Sequence, residues 1–178
     1  MLLQLGVHPI RREREGIVTD ADTNLSIIRR HHDALNRGDI AAAVTDYAED
    51  CTNHGRPAGR QRIEAILRDI HTTFPDDKAE ILDAIGVGDD VVVRAIVSGT
   101  HSGVSRLPVM GALLMGVAPT GRSYKVQHIH WYRMKDGQIQ DHRANRDDLG
   151  MLQQLGILPG LDARGGLNEE GIRQPLAE

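Results

Sequence analysis

Nine histidines occur among the 178 residues of this chain. Two of them, His128 and His130, stand one residue apart in Lys125-Val126-Gln127-His128-Ile129-His130-Trp131-Tyr132-Arg133, a stretch that reads as extended. Alternate side chains of a strand share a face, so His128, His130 and Tyr132 point one way, and Gln127, Ile129 and Trp131 the other. Imidazoles are costly to bury without partners. One that titrates at ~6.5 can give or take a proton near neutral pH. His130 is therefore the leading candidate for a general acid or base, against the plainer alternative of a histidine hydrogen-bonded in a polar wall. Metal binding is the competing chemistry, because His54, His101 or His142 could add imidazoles to the His128-x-His130 pair. The carboxylate that would complete such a set is missing: Met134, Lys135 and Asp136 follow instead, and no Cys/His zinc spacing occurs. Cys51 is the single cysteine, and a lone cysteine is more often an inert small hydrophobe than a nucleophile. Gly86-Val87-Gly88 lies between strands, without the helix a dinucleotide site needs. Neither a metal nor a cofactor is expected.

These side chains need a scaffold. Residues 1–21 carry mixed charge without sustained period and read as an arm. Leu25, Ile28, His32 and Leu35 fall at amphipathic-helix spacing, with Asp22, Thr23 or Asn24 as caps and Gly38 as stop. A short helix after Asp39 would carry Ile40, Val44 and Tyr47 inward, and Asn53 to Pro57 reads as a loop. A third helix from about Arg60 presents Ile63, Ile66, Leu67, Ile70 and Phe74, and Pro75 ends it. The period then changes to two over residues 78–87 and 90–101, with Gly88-Asp89 as the turn and the Val93–His101 face inward. Residues 105–121 are apolar but broken by Pro108, Gly111, Gly116 and Pro119; they form either a lid or subunit contact, or a loop over the sheet edge. The hairpin from 125 to 144 has two open registers. A two-residue Asp136-Gly137 turn pairs His130 with Arg143, and a three-residue loop pairs His130 with His142. Residues 147–155 read as a closing helix, and 158–178 as a flexible tail. Three helices followed by antiparallel strands make an α+β domain over residues 22–157, with helices on one side of a curved sheet that can close into a cone around a pocket.

Composition removes whole classes of function. Five aromatics are too few for a base-stacking platform, and a net charge of −4 argues against a phosphate-backbone partner. No apolar run approaches the ~20 residues of a membrane span, and the first residues lack a basic signal-peptide start. The single cysteine fits a reducing compartment, so a cytoplasmic protein with no nucleic-acid or membrane partner is expected. Ile129 and Trp131 on the outer sheet face form either a subunit interface or a seat for a terminal arm; a homodimer or homotetramer is favoured.

Several motifs together resemble the SnoaL-like polyketide cyclases, also called ester cyclases, of the nuclear-transport-factor-two-like superfamily. They are Leu35-Asn36-Arg37-Gly38-Asp39, Thr52-Asn53-His54, Gly99-Thr100-His101-Ser102-Gly103, Pro119-Thr120-Gly121-Arg122, Asp136 to Arg143, and Gln153-Gln154-Leu155-Gly156. The resemblance covers residues 24–157 and implies the cone fold, a small hydrophobic ligand and cofactor-free intramolecular aldol chemistry through an enolate. It places the family histidine on His130, a pocket asparagine on Asn53 and a pocket glutamine position on His128. The catalytic aspartate position falls on Ala144, which cannot accept a proton. It also turns position 144 toward the pocket, where His101, His142 and Tyr132 would join the wall. Three functions follow: a cyclase or isomerase in which His130 replaces the carboxylate, a relative with other chemistry (hydroxylase-like, dehydratase or epoxide hydrolase), or a non-catalytic binding protein.

Overall fold

The computed structural model describes residues 20–161 and 167–168. The arm expected over residues 1–21 and the tail over 158–178 lie largely outside these; Gly160 and Leu161 pair antiparallel with Leu167 and Asn168. Helix α1 (Asp20–Asn36) begins with Asp20 and Asp22 in its first turn, where carboxylates meet the positive end of the helix dipole. It starts earlier than the expected caps, and Asn24 instead reaches from the helix to the carbonyl of Gly88, 3.3 Å away. Gly38, at φ 71°, turns the chain, and Asp39 caps α2 (Ile40–Thr45) by accepting from the Ala42 amide at 3.0 Å. Tyr47 does not continue that helix. It opens strand β1 (Tyr47–Asn53), followed by β2 (Arg56–Pro57), α3 (Gly59–Thr73), β3 (Lys78–Val87) and β4 (Asp90–Thr100). Strands β5 (Ser123–Lys135) and β6 (Gln138–Arg146) and helix α4 (Asp148–Gln154) follow.

The six strands form one curved, unclosed sheet in the order β2-β1-β6-β5-β4-β3. All neighbours are antiparallel except β1 and β6. Alternation along β4 buries Val91, Val93, Ala95 and Val97, which join Ile28, Phe74, Tyr132, Met134, Ile139, Met151 and Leu155 in one core. Beyond Arg146, β5 loses its β6 neighbour. There the Gln154 side chain of α4 accepts from the Lys125 amide at 2.8 Å and donates to its carbonyl at 3.2 Å. That pairing completes an edge that would otherwise leave backbone groups unbonded.

The hairpin takes neither of the two expected registers. Lys135 pairs with Gln138 across a two-residue turn, but Gln140 is extruded as a bulge, so Tyr132 pairs with His142 and His130 with Ala144. One extra residue restores the facing of the three-residue register, and His142 and Ala144 share the inner face with His130. Among the described residues no helix is long and apolar enough to cross a membrane.

Candidate active site

Helices α1 and α3 and the concave face of the sheet enclose a cavity of about 610 Å³. Residues 105–121 reach its mouth: Pro108, Val109, Met110 and Gly111 line it. The segment is held down by Asp69 on α3, which accepts from the Ser105 hydroxyl at 2.6 Å and the Arg106 amide at 2.8 Å. A Cβ at Gly103 would stand 2.0 Å from the Thr72 carbonyl, so only glycine lets the chain run this close to α3.

His130, His128, Asn53, His142, Tyr132 and Ala144 all line the cavity. His101 does not. It faces inward as expected, but β4 ends at Thr100, and the ring lies against Phe74 with its Nδ1 accepting from the Thr120 amide at 3.3 Å. The residues not anticipated as wall include His31, His32, His54, His71, Asp77 and Arg146. His32 carried a signal, since it falls on the apolar stripe of α1; its partner, the Tyr132 hydroxyl 3.0 Å from Nε2, is a hundred residues away.

The polar wall is a stack. The rings of Tyr132 and His142 lie 4.7 Å apart at 9°, and those of His130 and His142 5.2 Å apart at 12°. His130 Nδ1 and His142 Nε2 are 3.0 Å apart, so one donates to the other. His130 Nε2 is buried and has no protein partner. If His130 donates through Nδ1, its Nε2 carries a lone pair; if His142 donates, His130 Nε2 carries an N–H. Moving one proton along this bond converts the same atom between base and acid. Burial, then the neighbouring His142, His32, His128 and Arg146, push His130 well below 6.5. His142 falls to about 3 through burial and the charges of His31, His32, His54 and Arg146. His32 falls to about 3 through burial and His31, and His128 to about 4 through burial and Arg146. The cluster is neutral at pH 7. Among the described residues no group of three or more His, Cys, Asp or Glu side chains could hold a metal ion. Cys51 is fully buried, and burial raises its thiol.

An α+β sheet curved over its helices around a histidine-walled pocket defines a protein of the nuclear-transport-factor-two-like class. Residues 26–155 match the model of the SnoaL-like polyketide cyclases, and the chain belongs to that family. It is 46% identical over 141 residues to an aklanonic acid methyl ester cyclase of Streptomyces peucetius, covering 75% of this chain and 91% of the relative. It is 29% identical to a nogalonic acid methyl ester cyclase of Streptomyces nogalater over 113 residues, 62% of this chain and 78% of that one. A SnoaL-like polyketide cyclase from Agrobacterium tumefaciens shares the fold at a TM-score of 0.61 and 18% identity, covering 74% of this chain and 97% of the other.

Proposed function

We propose that this chain is a cofactor-independent cyclase or isomerase acting through an enolate of a hydrophobic polyketide, with His130 as the proton-transfer residue and Ala144 where the family's carboxylate would stand. The observation that carries the reading is the 3.0 Å His130–His142 bond in the cavity wall, which leaves Nε2 of His130 buried and without a protein partner. His130 Nε2 takes a proton from a carbon flanked by carbonyls, while its Nδ1–H is held by His142. Asn53 and His128 supply N–H groups for the enolate oxygen. The enolate carbon attacks a second carbonyl, a C–C bond forms, and the new alkoxide takes the proton back from His130 Nε2–H. No oxidant or metal enters the balance. The depressed basicity of His130 makes this base weak, which suits an acidic 1,3-dicarbonyl carbon and speeds return of the proton.

Pure ligand binding is the second reading, favoured by the absence of a carboxylate opposite His130. Turnover of an aklanonic-acid-type methyl ester separates the two. His130→Ala should lower kcat by ~10²–10⁴ if the residue acts as acid and base. No turnover by the wild type of any keto substrate, with tight binding untouched by His130→Ala, would establish the binding reading instead.

A further inference from the structure

The pocket has a second polar end that the proton transfer above does not use. Asp77 follows α3, its amide bonded to the Phe74 carbonyl at 3.0 Å, and it is the single carboxylate among the described residues lining the cavity. Its Oδ1 accepts from the Tyr124 hydroxyl at 3.1 Å. No hydrogen bond reaches Oδ2 from the described residues, and that oxygen is not sealed off by protein. Tyr124 is itself fixed, buried with its ring 5.0 Å from that of Phe74.

The place of this pair along the sheet decides what it can do. Tyr124 and His130 share one face of β5 and are six residues apart, a run of ~20 Å in an extended strand. Val97, paired with Val126, forms apolar wall between them. A carboxylate bonded to Tyr124 stands toward the other end of this strand from His130, where it can hold the far end of a long ligand. With one oxygen saturated by Tyr124 and the other free, it is an acceptor waiting for a donor, and its bond to a hydroxyl would be charge-assisted. Burial holds the carboxyl up at about 6, against the Tyr124 hydrogen bond that lowers it, so the fold would be more stable without this charge, as is common where a group is kept for its ligand.

We propose that Asp77, oriented by Tyr124, is a specificity-determining subsite that holds a hydroxyl at the trailing end of a flat, multi-ring ligand whose reacting carbonyls lie at the imidazoles. The assignment rests on the reading of the cavity as a polyketide site and adds to it the length and polarity of the substrate. Binding of 2-hydroxyanthraquinone and of anthraquinone, which differ by one terminal hydroxyl, is measured by equilibrium dialysis against wild type, Asp77→Leu and Tyr124→Phe. The wild type should prefer the hydroxylated probe ~10–100-fold, the range for a hydrogen bond to a charged group. Asp77→Leu should reduce the preference to about onefold and leave anthraquinone within roughly twofold. Tyr124→Phe should weaken the preference partway. A preference absent in the wild type, kept in Asp77→Leu, or lost through equal weakening of both probes would overturn the subsite. So would a hundredfold fall in kcat at constant KM in Asp77→Asn, which would make Asp77 the base. If the preference behaves as expected while no polyketide is turned over, the reaction proposed above fails and the subsite stands.

Discussion

Acid should unfold this protein earlier than its composition suggests, because the pocket wall refuses protons that the unfolded chain accepts. The perturbation is a shift from pH 7 to pH 5. In the unfolded chain His32, His128 and His142 titrate near 6.5 and are almost fully charged at pH 5; in the fold they sit at about 3, 4 and 3. A depressed histidine pKa contributes stability that is complete above 6.5 and is lost as pH falls toward the folded value, so the window runs from about 6.5 down to about 3. Each such histidine removes about 2 kcal/mol by pH 5. Asp77 opposes them. Raised to about 6, it gains its proton in the fold before the unfolded chain does and returns roughly 1 kcal/mol over the same interval. The net loss is about 3–5 kcal/mol, a large share of the ~5–15 kcal/mol that holds a domain folded. Urea unfolding followed by far-UV circular dichroism at pH 7, 6 and 5 measures it. With m of ~1–3 kcal/mol/M, the midpoint should fall by roughly 1–5 M. His128→Gln should flatten the slope and Asp77→Asn should steepen it. A midpoint that holds or rises between pH 7 and 5 would refute the neutral, desolvated wall and the reasoning built on it.

Two further predictions test the neighbourhood of His130 and the outer face. Ala144→Asp puts a carboxylate directly across the strands from His130, so the imidazole should titrate ~1–3 units higher by NMR. Cyclase activity on an anthracycline-type precursor should appear or rise; flat activity in a folded variant whose imidazole has shifted would mean that position 144 is not where the family's base acts. On the convex face, Ile85, Val92 and Trp131 adjoin across three strands, with Ile85 64% and Trp131 51% exposed. We propose a homodimer through this stripe: native mass spectrometry should show a dimer that Trp131→Glu converts to monomer, and a monomeric wild type would end that idea.

The parts of the fold that were legible in the sequence are those fixed by local pattern. Strands β3 and β4 lie where alternation and Gly88 put them, and α3 ends before Pro75, because each signal acts within a few residues. Strand β1 was hidden. Tyr47-Ala48-Glu49-Asp50-Cys51-Thr52-Asn53 has no clean alternation, and its extended form depends on parallel pairing with β6 some ninety residues later. The hairpin register turned on the Gln140 bulge, for which a turn sequence carries no signal. His130 and His128 were readable as wall because strand parity and family resemblance agreed on them, whereas Asn53, read as loop, and Ala144, whose register was open, rested on the resemblance alone. His101 had the right parity, but Phe74 fills the space it faces. Asp77 was concealed beside Asp76: one carboxylate bonds the Thr100 amide at 2.7 Å, its neighbour lines the cavity, and only the chain's path after Pro75 separates them.

The two polar ends of the cavity differ in kind, and the difference bears on mechanism. At the imidazole end, burial and then mutual repulsion hold His32, His128, His130 and His142 below their ordinary range, so the group that would meet a substrate is an uncharged donor–acceptor rather than a cation. A neutral imidazole can polarise a carbonyl and pass a proton without first giving up one of its own, but it cannot anchor an anion. At the other end Asp77 carries the only carboxylate among the described lining residues, and its free oxygen can fix a ligand without taking part in bond making. On the reaction and subsite proposed above, positioning falls to Asp77, bonded to Tyr124, and proton transfer to His130, six residues further along the strand that carries Tyr124. A rigid polycycle long enough to reach both would be held in one orientation before any proton moves, and that preorganisation offsets part of the barrier a weak base leaves standing.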